Sequence, residues 1–178
     1  MTTSSSSSQN QARPLSGERG ELLQALAEQR ELFLITLRGL TDEQAARRTT
    51  VSELTLGGIL RHLVSGERVW TQILVKGDGE LPDGMLDMEQ YRMGAGNTLD
   101  GLLRQYAAAA EATEDAVAGM PDLDRTVPLP VTPWSPPEPV HWSARRILLH
   151  LIKETAQHAG HADIIRESLD GASSTAQR

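Results

Sequence analysis

The sequence predicts an all-α protein, a four-helix bundle whose helices are joined by long crossover loops. Three observations point there. Four long segments carry apolar residues at helical spacing, and capping residues bound most of them. The stretches between them are rich in glycine or proline and show no convincing strand alternation. A length of 178 residues with 39% apolar composition suits one domain with a single sizeable core.

The first long helix is expected from about Ser16 to Leu40, where Leu22, Leu23, Leu26, Leu34 and Leu37 recur on one face. Phe33 and Ile35 widen that face, and Gly39 stands near its end. Thr41-Asp42-Glu43-Gln44 has the form of a capping box and opens a short turn of helix. The second long helix runs from near Thr55 to Val75, with Gly77 placed as its C-terminal cap. The third starts at Thr98, passes through Ala107 to Ala110 and stops at Gly119-Met120-Pro121. The fourth has Ser143 as its N-cap, an apolar face from Ile147 to Leu169, and Gly171 just beyond. Between the second and third helices lies a long glycine-rich loop, residues 77–97. Between the third and fourth lies the proline-rich loop 121–142, in which Thr126-Val127 and Val131-Thr132 offer a short strand pair.

The serine-rich start, MTTSSSSSQNQ, offers nothing to bury, so residues 1–13 are expected to form a disordered tail. Residues 14–171 form the bundle domain and residues 172–178 a flexible C-terminal tail. The start has neither the positive charge nor the apolar stretch of an export signal, so a cytoplasmic protein is expected. A net charge of −7 without a basic block argues against nucleic acid or an anionic membrane as partner. The absence of cysteine excludes disulfides, thiolate metal ligands and a cysteine nucleophile; any thiol chemistry uses a thiol from outside.

Four of the five histidines fall between positions 141 and 161. At about 100° per residue, His150, Glu154, His158 and His161 share an arc roughly 80° wide on the fourth helix. Ile147, Leu151 and Ile165 project in nearly the same direction, and Lys153, Gln157 and Glu167 take the far side. A carboxylate on a core-facing arc is costly unless it is paired or metal-bound. On the second helix, His62 borders an apolar arc made by Ile59, Leu63, Trp70 and Ile73. Its neighbours one turn away are Gly58 and Gly66, and each glycine inside a helix costs about 1 kcal/mol relative to alanine. Close packing or open space beside the imidazole would account for them. Glu67 on the same arc is a candidate acceptor for a ligand histidine.

His62, Glu154 and His158 thus make a candidate two-histidine, one-carboxylate metal site. Catalytic zinc and the facial triad of non-haem iron both use such a set, and zinc is preferred, with iron or nickel as alternatives. Plainer readings stand beside it. A single histidine next to an apolar arc, such as His62, is more often a satisfied core or boundary residue, and the helix-four cluster reads alternatively as a partly solvated polar stripe. His150 reads as a residue that supports a ligand or as a boundary residue, before it reads as a ligand itself, and His141 as unrelated. His161 is open between fourth ligand, proton shuttle and surface residue. Arg145-Arg146 reads as a solvated first turn with one arginine in reach of an anionic substrate.

The segment WSARRILLHLIKETAQHAGHADIIRE, residues 142–167, resembles the last helix of the DinB-like superfamily, closest to the branch that includes mycothiol S-transferases. GILRHLVSGERVW, residues 58–70, is similar to the histidine helix of the same group. The resemblance implies a DinB/YfiT-like up-down-down-up four-helix bundle, often dimeric. It also implies a divalent metal held by His62, Glu154 and His158. Many relatives have histidine where this chain has Glu154. The activity implied for several members is transfer of a low-molecular-weight thiol (mycothiol, bacillithiol or glutathione) to a small-molecule electrophile. A metal-held thiol is deprotonated at neutral pH, which supplies the thiolate a cysteine-free protein lacks. His161 would then shuttle the proton, and Trp134 and Trp142 would wall the pocket. A non-catalytic metal-binding or stress-associated bundle and a thiol-dependent isomerase are the alternatives.

Overall fold

The computed structural model describes residues 16–176. The serine-rich tail expected over residues 1–13 lies outside these residues. Among the described residues five α-helices appear in chain order: α1 (Glu18–Ile35), α2 (Asp42–Ala46), α3 (Leu56–Lys76), α4 (Leu99–Ala118) and α5 (Ala144–Asp170). A single 3₁₀ turn, Met88–Tyr91, interrupts the loop between α3 and α4. Strands β1 (Thr126–Pro128) and β2 (His141–Ser143) make a small antiparallel ribbon. The protein is therefore mostly helical. No described helix is long and apolar enough to cross a membrane.

The helix ends follow the capping chemistry in the sequence. Thr41 and Gln44 close a reciprocal capping box on α2. Thr55, Thr98 and Ser143 each accept a backbone N–H in the first turn of α3, α4 and α5. Gly77 and Gly171 end α3 and α5 in the left-handed conformation that glycine adopts without strain. The first helix stops at Ile35, short of the expected Leu40. The chain continues from there in tight turns to Gly39, whose φ is also positive. The Arg166 guanidinium donates to the carbonyls of Thr36 and Arg38 in these turns. That contact takes up carbonyls at the end of α1 that the helix itself leaves without partners.

The expected strand pair within residues 126–132 is not formed. Thr126–Pro128 pairs instead with His141–Ser143, in the register Val127 opposite Trp142. The reason is the start of α5: the N–H of Ala144 donates to Arg125 and that of Arg145 to Leu123, so the chain entering the helix lies along β1.

α3 packs on both α4 and α5, and α1 packs on α5. The buried apolar residues form two clusters. Phe33, Leu60, Tyr106 and Ile165 belong to one, and Ile73, Val117, Ile147 and Leu148 to the other. Between them along the helices lie buried polar residues. Arg30 of α1 donates to both carboxylate oxygens of Glu67 on α3, and Thr113 of α4 donates to Glu67 at 2.8 Å. Thr113 also meets Thr71, and the outer side of Arg30 reaches Glu114. Removing one member of a buried ion pair leaves the other charged and unpartnered, which typically costs about 3–5 kcal/mol. Glu67→Ala is therefore expected to destabilise the fold by about that amount in urea titration. The Arg30→Met, Glu67→Leu double variant should recover most of the loss. Equal loss in both variants would refute the pairing argument.

Candidate metal centre

His62 comes from α3, and Glu154 and His158 stand one turn apart on α5. One donor atom from each residue lies within 4.8 Å of the other two, and all three side chains are partly buried. The His62 and His158 rings meet edge to face at 4.9 Å between centroids. The three residues singled out in the sequence are thus brought together.

Their charge state suits a cation. Burial lowers the pKa of His62, against the opposing pull of the Gln90 amide and the Glu154 carboxylate. Burial, then the neighbouring His62 and His161, brings His158 down to about 4. Both imidazoles are neutral at pH 7, each with a lone pair to donate. Burial acts to raise the pKa of Glu154, but Lys153, His150 and His158 outweigh it and hold the carboxyl below its usual range. Two neutral nitrogens and one ionised oxygen are the donors that zinc, iron and nickel accept. Nδ1 of His62 supports the fit: it is buried without a hydrogen-bond partner, a state that folded proteins rarely leave uncompensated.

Several neighbours could not be placed by helical spacing. Lys153 was expected on the far side of α5, yet its ammonium reaches back to 3.0 Å from Glu154 Oε1. Four methylenes allow the charged end to travel while the stem stays on the solvent face. Tyr91, at the end of the 3₁₀ turn, stacks on His62 at 4.6 Å and 22°. The trace of this in the sequence is the Gly57-Gly58 pair. A Cβ on Gly58 would lie 2.5 Å from the Tyr91 carbonyl oxygen, and one on Gly57 would lie 2.5 Å from Met93 Sδ. Two glycines let the loop lie directly on the first turn of α3 and lay Tyr91 over the histidine.

The remaining expectations divide. His161 Nδ1 lies 3.4 Å from His158 Nδ1, beside the triad. His150 is partly buried, its Nδ1 3.9 Å from Glu154 Oε1 and its ring edge-on to Trp70 and Trp142. Glu67 does not accept from a ligand histidine, because Arg30 and Thr113 already engage its carboxylate. Trp142 stacks on Trp70 at 5.1 Å, and the Arg146 guanidinium lies 4.4 Å over it. Trp134, by contrast, is 75% exposed and walls nothing. Arg145 is engaged by Glu18 and Asp124. His141 is exposed on β2, opposite Pro128. A cavity of about 150 Å³ lies between α3 and α5, lined by His62, Leu63, Gly66 and Trp70 on one side and by His150, Leu151 and Glu154 on the other.

A mostly helical fold with a partly buried His–Glu–His cluster on adjacent helices defines a class, that of helical proteins with a candidate divalent-metal site. The chain belongs to the mycothiol-S-transferase family, whose model matches residues 21–171. Among solved structures, it is similar to a conserved protein from Enterococcus faecalis. The TM-score is 0.66 at 16% identity, covering 89% of this chain and 100% of that one. At that identity the likeness concerns the fold. No curated protein matches this chain.

The low pKa of His158 has a measurable consequence in metal-free protein. Between about pH 6.5 and about 4, the unfolded chain binds a proton at this position that the folded chain does not. Stability contributed by the neutral imidazole is therefore complete above pH 6.5 and declines as pH falls through that window. His158→Gln should flatten part of this decline in melting temperatures recorded with chelator present. An unchanged slope would show that His158 is not the group responsible.

Proposed function

We propose that this chain is a metal-dependent thiol S-transferase joining a low-molecular-weight thiol, with mycothiol foremost, to a small-molecule electrophile. The observation that carries the reading is the family match over residues 21–171, on a chain whose His62, Glu154 and His158 donors converge beside a cavity. The up-down-down-up bundle of DinB-like proteins is the arrangement in which we place these helices. A divalent cation, zinc first, supplies the positive charge that keeps a thiol ionised at neutral pH.

The chain's own residues do the rest. His62 Nδ1 has no competing hydrogen bond, so it is free to bind. His158 Nδ1 faces His161, which leaves His158 Nε2 for the ion and orients the ring. Glu154 contributes the negative charge, with Lys153 balancing it in the metal-free site. The sulfur forms a bond to the electrophilic carbon, the leaving group departs with the bonding pair, and the thiol proton passes to His161 Nδ1 as that nitrogen turns away from the His158 Nδ1–H it otherwise accepts from. The apolar walls of the cavity exclude water from the reacting carbon.

The purified protein should carry about one divalent transition metal per chain, and His158→Ala should lose it by elemental analysis. Mycothiol, bacillithiol and glutathione are each offered with chlorodinitrobenzene, with and without chelator. Metal-dependent thiol loss supports the transferase. Activity that survives complete metal removal refutes it; with a cis-unsaturated dicarboxylate offered in place of the electrophile, a thiol that is required but not consumed marks an isomerase. His161→Ala should keep the metal and lower turnover by about 10²–10⁴-fold. Loss of the metal in this variant would make His161 a ligand instead of the proton acceptor.

A further inference from the structure

Gly58 and Gly66 flank His62 on α3, but they are glycines for different reasons. A side chain at Gly58 would strike the Tyr91 carbonyl, whereas a Cβ at Gly66 would meet nothing within 4 Å. Packing therefore does not require glycine at position 66, and alanine there would favour the helix. Position 66 lines the cavity between His62 and Trp70, the three residues succeeding one another at four-residue steps along α3.

Apart from His62, His150 and Glu154, the cavity lining is apolar in effect. Leu63 and Leu151 are hydrocarbon. The Glu67 carboxylate is engaged by Arg30 and Thr113, and the Thr155 hydroxyl donates to the Leu151 carbonyl at 2.9 Å. Groups able to bind a polar ligand remain on two sides, His62 on α3 and, across from it on α5, Glu154 with His150, whose Nδ1 lies 3.9 Å from the Glu154 carboxylate. The volume of about 150 Å³ matches that of apolar cavities that admit one benzene molecule.

We infer that this cavity is the subsite for the apolar part of the electrophile. It takes one aromatic ring or a group of that size, and the absent side chain at Gly66 sets the limit. The assignment to the electrophile rests on the transferase reading, while the ring-binding property rests on the cavity alone. Bound there, the ring lies against Leu63, Leu151 and Trp70, with its reactive substituent toward His62 and Glu154.

The test uses metal-free, thiol-free protein, titrated with benzyl alcohol and with naphthylmethanol. Binding is read from ligand-observed NMR and from the change in tryptophan fluorescence. Benzyl alcohol is expected to saturate, with naphthylmethanol at least ~10-fold weaker because a second ring has no room. Gly66→Ala should melt about 2–4 °C higher than the natural chain yet bind benzyl alcohol several-fold more weakly. Gly66→Val should show no saturable binding. Equal affinity for one and two rings, or undiminished benzyl alcohol binding in both variants, overturns the subsite. Ring binding without metal-dependent thiol loss would fail the transferase reading alone; thiol transfer without ring binding would fail this inference alone.

Discussion

The buried contact between Arg30 and Glu67 is the constraint on which the arrangement of α3 depends. The two charges lie between the apolar clusters, and Thr113 and Thr71 join them from α4 and α3. An ion pair at that depth gains little over well-packed hydrocarbon, and its partners must meet in one geometry. That geometry fixes the rotation of α3 about its own axis. With Glu67 turned toward Arg30, the line of His62, Gly66 and Trp70 faces α5. The candidate centre and its cavity follow from an interaction that touches neither donor histidine.

The same interval between the clusters explains why the site is electrically quiet without a metal. Burial keeps His62 and His158 neutral, and the single carboxylate is balanced by a lysine that approaches from the solvent side. Positive charge on either ring would add to that of its neighbour, since the two lie edge to face. A divalent ion has no such competitor among neutral nitrogens and needs only to displace the Lys153 ammonium from Glu154. The folded chain thus presents ligands already in the protonation state that metal binding demands.

Much of this was legible in the residues. The caps at Thr55, Thr98, Ser143, Gly77 and Gly171 mark helix ends because each supplies a local partner or a local conformation. His62, Glu154 and His158 could be grouped because a helical repeat places α5 residues 154 and 158 together. Less accessible was anything set by a distant partner. Glu67 could be assigned to a face, but Arg30 lies 37 positions away and its claim on that carboxylate leaves no periodic trace. Tyr91 arrives from a loop, and only the glycines it crosses give it away. The β1–β2 register depends on how the entry to α5 is bonded, so alternation within the loop could not reveal it.

That ribbon has a consequence for how the protein tolerates change. Val127 opposes Trp142, and the strand passes without a break into the first turn of α5. Side chains alternate across a strand, so a slip of one residue would turn Trp142 away from Trp70 and carry Arg146 off its ring. Past the bond from the Leu129 N–H to the Val140 carbonyl, the intervening segment, residues 130–139, is under no such discipline: its proline-rich course is largely exposed. Length variation among close relatives should accumulate there, while the three paired positions on either side hold their spacing to the helix. The ribbon is a ruler, measuring one aromatic side chain from the end of the bundle.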